Sequence, residues 1–169
     1  MAQGILALAD YNFVTYTMTH QKRARIHWIL QALALVFITI GQTVIIVRKS
    51  VQGKFHFQTL HGIIGIITYL LTVVASLGGV FTLYSFQLRT FMKPITIKII
   101  HSLIGILNYL MVILAISTGI LSKSWMHRVS NDSWVLPLML IIMICTTPYV
   151  LFKSVKLLKS RFVTALHFS

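Results

Sequence analysis

Two stretches of this sequence, forty residues apart, carry the same pattern of histidine, glycine and tyrosine. Residues 60–71 read LHGIIGIITYLL and residues 100–111 read IHSLIGILNYLM. Each stretch opens a long apolar run, so His61 and His101 each lie near the start of a helix of membrane-spanning length. The glycine four residues after each histidine lies on the same helix face, where it leaves room for a flat, bulky group.

The composition supports a membrane setting. The chain has 169 residues and is 57% hydrophobic, with two acidic residues against fifteen Lys and Arg. A charged fraction of 10% is too small to cover the surface of a soluble domain. A net charge of +13 could indicate nucleic acid, but the basic residues cluster at the ends of apolar runs. That placement favours an anionic lipid surface and not nucleic acid as the partner.

Four apolar runs are long enough to span a bilayer, which takes about 20 residues. They cover residues 26–47, 60–84, 98–121 and 134–152. Short connections make each helix antiparallel to the next. The sequence therefore predicts an all-α fold, a multi-pass transmembrane bundle of four complete spanning helices.

The distribution of Lys and Arg predicts the orientation of the bundle. Ten of them fall on the side of the N-terminal flank, the second loop and the C-terminal tail, and five fall on the other side. Because positive residues favour the cytosolic side, both termini are expected in the cytosol.

Three of the seven histidines open predicted helices. His27 and His101 open the first and third helices on the predicted cytosolic side, at matching depth, and form a candidate bis-histidine clamp. His61 opens the second helix on the opposite side. One histidine at a membrane end is commonly an interfacial polar residue. Three such histidines favour a functional site, because ionisable groups at membrane depth are costly and usually functional.

The ligand types favour haem over zinc. Zinc sites commonly use three or four ligands, and no such set converges here. A haem needs one or two axial ligands and an apolar slot lined by small residues, which Gly65 and Gly105 supply. Small residues also serve tight helix packing in lipid, so that alternative stays open for the glycines. It does not explain the histidines.

Three segments together resemble the cytochrome b561 family, in particular its small cytochrome b561 domain-containing members. They are KRARIHWILQ (22–31), HFQTLHGIIG (56–65) and KIIHSLIG (98–105). Family members have six helices and two b-type haems, each held by two histidines of a four-helix core. They pass electrons from cytosolic ascorbate to ferric iron or monodehydroascorbate on the other side.

The resemblance implies roles for individual residues. His27 and His101 would bind the haem iron on the cytosolic side, and His61 would be one iron ligand of the far-side haem. Lys22, Arg25 and Lys98 would surround the cytosolic haem edge, where they could attract the ascorbate anion. Their alternative role is to set topology and contact lipid.

The resemblance also implies a departure from the family pattern. Residues 1–25 look like the remnant of the family's second helix followed by a cytosolic flank, so the first helix and the partner of His61 are absent. Residues 26–152 form the haem-binding core, and residues 153–169 form a basic cytosolic tail. A truncated product of this kind is expected to hold about one haem b, because its second site is incomplete.

The sequence thus predicts an oxidoreductase of the transmembrane ascorbate ferrireductase type, in an endomembrane rather than the plasma membrane. The alternative is a non-catalytic membrane bundle that binds at most one haem and modulates full-length relatives. Whether the chain forms a homodimer is left open.

Overall fold

The apolar runs form long helices that pack in chain order. The computed structural model describes residues 17–122, 126 and 134–167. This part of the chain contains no strand and holds helices α1 (His20–Val51), α2 (Leu60–Leu83), α3 (Pro94–Ile120) and α4 (Val135–His167). α1 packs against α2, α2 against α3, and α3 against α4. All four are long and apolar enough to cross a membrane, which confirms the predicted all-α, multi-pass bundle.

Three helices are longer than the apolar runs that predicted them. α1 begins at His20 and α3 at Pro94, both ahead of their apolar runs. α4 continues to His167 through most of the segment predicted as a tail. Lys and Arg have high helix propensity, so a helix can continue past the hydrocarbon into a basic segment. Residues 1–16, where the predicted remnant helix falls, and the loop that contains His127 lie outside the described residues.

Local signals explain where the helices begin and end. Thr19 and Thr59 are the N-caps of α1 and α2, and the Thr59 hydroxyl accepts the Gly62 N–H at 3.1 Å. Pro94 occupies the first turn of α3, where its missing N–H costs no hydrogen bond. After α1, Gly53 adopts a φ of 61°, the left-handed conformation that closes a helix.

Buried hydroxyl and amide groups link α2 to α3 near their midpoints. Thr68, Thr72 and Asn108 are each at most 3% exposed. The Thr68 hydroxyl donates to the Met111 carbonyl at 3.2 Å, and the Thr72 hydroxyl donates to the Asn108 side-chain oxygen at 3.2 Å. Such interhelical bonds stabilise a bundle in lipid, where apolar burial gives little drive for association.

Tyr109 and Val150 form the contact between α3 and α4. They are 3% and 1% exposed, and Ile113 and Leu151 pack against them. At one end of the same interface, the Arg161 guanidinium donates to the Lys98 carbonyl at 2.8 Å and also to the Ser102 hydroxyl. The second half of α4 is therefore joined to the start of α3, near His101.

Candidate functional site

The imidazoles of His27 and His101 face each other across α1 and α3. Their ring centroids are 6.3 Å apart and their planes are nearly perpendicular, at 86°. Imidazole nitrogens bind metal ions at about 2 Å, so two rings that share one ion have centroids about 6 Å apart. The predicted pair is thus brought together at a separation suited to one metal ion.

The surroundings of this pair leave space and an unsatisfied polar atom. Direct packing of α1 on α3 is slight, and a Cβ added at Gly105 would meet nothing within 4 Å. The Gln31 side-chain oxygen, one turn after His27, is buried without a hydrogen-bond partner in the described part of the chain. Buried polar atoms normally have partners, so this oxygen marks a place where a further group fits.

His101 rests on the backbone of α2. A Cβ at Gly78 would lie 3.3 Å from its Nδ1, and a Cβ at Gly79 would lie 3.5 Å from its Cε1. The backbone of Ala75, one turn earlier in α2, lies beside the same ring. The imidazole therefore approaches α2 more closely than side chains at these positions would allow.

His61 has the matching position at the other end of the same helix pair. Its Nδ1 lies 3.0 Å from the Ala115 carbonyl of α3, which can only accept a hydrogen bond. A Cβ at Gly119 would lie 2.9 Å from the His61 Cε1. With Nδ1 as donor, the Nε2 of a neutral ring keeps its lone pair, as a metal ligand requires.

The repeat explains why the two histidine environments match. Gly79 and Gly119 each stand eighteen positions, or five helical turns, after the histidine of their own helix, and Ala75 and Ala115 correspond in the same way. Because α2 and α3 are antiparallel, the histidine of one helix meets the alanine and glycine of the other. An alignment of the two repeats over their whole length would have shown from sequence that Ala75 matches Ala115 and that Gly79 matches Gly119.

The described residues do not complete a second histidine pair. No imidazole lies opposite His61 in residues 17–122 and 134–167; His56, on the same predicted side, instead pairs with the Ser50 hydroxyl at 3.2 Å. His127 lies outside the described residues. No three His, Cys, Asp or Glu side chains of the described chain group together as a metal site.

The predicted substrate-binding residues lie at the ends of helices near the His27–His101 pair. Lys22 and Arg25 are exposed in the first two turns of α1, and Lys98 is half-buried one turn before His101. Gly65, in contrast, faces the Gln42 side chain of α1, with its amide nitrogen 3.7 Å from an added Cβ. The structure leaves the roles of these residues as predictions.

Comparison with known proteins identifies the family. The model of the eukaryotic cytochrome b561 family matches residues 1–127. The chain therefore belongs to the cytochrome b561 family, as the sequence motifs indicate.

Curated relatives match over a shorter stretch. The human transmembrane reductase CYB561D2 is 33% identical over 84 residues, which cover 50% of this chain and 38% of the relative. The bovine protein of the same name gives the same identity and coverage. The matched stretch thus spans less than two fifths of these relatives. No solved structure matches the chain.

The residues present fit the b-type haem that the family binds. The two rings have the separation of a shared ion, the flanking helices leave space, and the buried Gln31 oxygen lacks a partner among the described residues.

Proposed function

We propose that this chain is a membrane haem protein that transfers electrons, of the ascorbate-dependent reductase type. The observation that carries this proposal is the His27–His101 pair, whose ring centroids are 6.3 Å apart at one end of a membrane-spanning bundle. The family membership supports the same reaction class, and the relatives named transmembrane reductase support a reductase in particular.

His27 and His101 would bind the iron of a haem on the predicted cytosolic side. The bound haem supplies reversible one-electron chemistry that protein side chains lack. The two helices that carry these histidines would hold the iron in place. α1 packs against α2, and α3 packs against both α2 and α4. The choice of two histidine ligands and the exclusion of water by lipid and apolar side chains would both influence the reduction potential of the haem.

Lys22, Arg25 and Lys98 would attract the electron donor. Ascorbate is an anion at neutral pH, and all three residues lie at the helix ends next to the His27–His101 pair. With Arg161 nearby, this end of the bundle carries several cations, while the two acidic residues of the sequence lie outside the described chain. A positive surface raises the local concentration of an anionic donor.

His61 would serve as one ligand of a second haem, on the side where ferric iron or monodehydroascorbate accepts electrons. Its Nδ1 contact to Ala115 leaves Nε2 for the metal. The proposal places both termini in the cytosol and the protein in an endomembrane.

A non-catalytic role is the second candidate. It is favoured by one observation, that no imidazole lies opposite His61 in the described residues. In that role, the bundle binds at most one haem and modulates related reductases.

The test is ascorbate reduction of the purified protein in detergent, with haem quantified. Rapid reduction that slows in a Lys22, Arg25 and Lys98 to Gln triple variant supports the reductase. The matched control is Lys54→Gln, an exposed lysine in the α1–α2 loop. Haem that ascorbate reduces equally slowly in all three proteins would favour the non-catalytic role. Protein without haem would overturn the reductase proposal and leave the non-catalytic role.

A further inference from the structure

The two repeat helices carry reciprocal positions for their histidines. Each has a histidine in its N-terminal part and a glycine five turns after that histidine, and the antiparallel packing of α2 on α3 brings each histidine to the glycine of the other helix. At the His61 end, the contact consists of the Ala115 carbonyl, 3.0 Å from Nδ1, and Gly119, against which the ring lies.

We propose that Gly119, together with the Ala115 carbonyl, is a positioning residue for His61. Gly119 lets the ring approach α3 closely enough for Nδ1 to bond to Ala115, and this bond leaves Nε2 available to a metal. The inference rests on the proposed function, because it takes His61 as an iron ligand.

The steric argument comes from the atoms that a methyl group would meet at Gly119. The three nearest are the His61 Cε1 at 2.9 Å, Nδ1 at 3.1 Å and Nε2 at 3.6 Å. All three belong to the imidazole and none to the backbone of α2. A glycine selected only for close helix packing would place an added methyl against backbone, so the contact indicates a role toward the histidine.

The contact between Gly119 and the His61 ring also predicts which part of the molecule moves when a methyl group is added at Gly119. Because the imidazole is the far end of a rotatable side chain, an added methyl displaces the ring and leaves the helices in place. Gly119→Ala should therefore preserve the bundle and break the Nδ1 hydrogen bond. At the corresponding position of α2, Gly79, an added Cβ would lie 3.5 Å from the His101 Cε1, so Gly79→Ala should have a smaller effect on the position of His101.

The experiment follows the side-chain N–H signal of His61 in the full chain. The protein is labelled with ¹⁵N-histidine, purified in detergent and reduced so that low-spin iron is diamagnetic; His61→Asn assigns the signal. Wild type should show a hydrogen-bonded Nδ1–H for His61, and Gly119→Ala should lose it. The matched control is Gly41→Ala, because a methyl at Gly41 meets nothing within 4 Å.

The outcomes separate this inference from the proposed function. An unchanged His61 signal in Gly119→Ala overturns the positioning role, whatever the haem content. A wild-type protein without haem overturns the proposed function, while the signal still tests the contact. Thermal unfolding should show equal stability of Gly119→Ala and Gly41→Ala. A bundle that unfolds only in Gly119→Ala would show that the glycine serves helix packing, which also overturns the inference.

Discussion

Arg161 joins two helices at the end of the bundle that holds His101. Its guanidinium donates to the Lys98 carbonyl and to the Ser102 hydroxyl, which flank His101 on α3. The Ser102 hydroxyl itself donates to the Lys98 carbonyl at 2.8 Å, so the three groups form one small network. This long basic side chain links two helices, in addition to its predicted role in setting the topology.

Arg161→Gln should weaken the contact between α3 and α4. An interhelical hydrogen bond in a membrane protein contributes about 1 kcal/mol, so we expect a loss of that order in the free energy of unfolding. The measurement is unfolding in mixed detergent micelles. Lys159→Gln, on an exposed position of the same helix, removes the same charge and should leave stability unchanged. Equal effects of the two variants would show that charge, and not the bonds to α3, matters.

Individual residues differ in how far sequence could place them. The pairing of His27 with His101 follows from two histidines at the same depth on helices of the same direction. The contacts of His61 with Ala115 and Gly119 do not follow from depth, since they depend on the rotation of α2 against α3. The small residues themselves were visible in the sequence, but their partners required the packed structure.

At the scale of elements, helix existence was predictable and helix length was not. Apolar runs mark the segment that crosses the hydrocarbon, whereas a helix ends where its hydrogen bonding ends. α4 therefore continues through a basic segment to His167, well beyond its apolar run. Capping residues such as Thr59 and the left-handed Gly53 define the ends more directly than hydrophobicity does.

Gly105 tests whether the space between α1 and α3 holds the haem. A Cβ at this position meets no atom within 4 Å, so the chain itself would accept a larger side chain. Gly105→Leu should nevertheless reduce haem content several-fold, because the branched side chain would occupy the space one turn below His101. Haem per protein is measured after purification, and protease protection in membranes checks insertion.

Full haem content in Gly105→Leu would place the haem elsewhere and leave the repeated glycine with a role in packing only. Gly41→Leu, at an exposed position of α1, is the matched control and should retain haem.

At the scale of the whole molecule, the two ends of the bundle are unequal. One end has two facing imidazoles, and the other has His61 without a facing imidazole in the described residues. A single axial histidine holds a haem more weakly than two. Within the described residues, the internal repeat thus produces similar histidine environments but one complete pair.

We therefore expect about one haem per chain and transmembrane electron transfer that is absent or much slower than in relatives with two complete histidine pairs. Ascorbate should still reduce the haem at the His27–His101 end. Haem quantification and ferric reduction across sealed vesicles check these two expectations. Two haems per chain with rapid transfer would show that another group completes the His61 site.

The central claim is that His27 and His101 hold one haem between them. Its most direct test is the absorption spectrum of the purified protein beside those of His27→Ala and His101→Ala. Wild type should give a reducible, low-spin b-type spectrum with two histidine ligands, and each substitution alone should abolish it, because each removes one of the two facing rings. A wild-type spectrum in either variant would contradict the account.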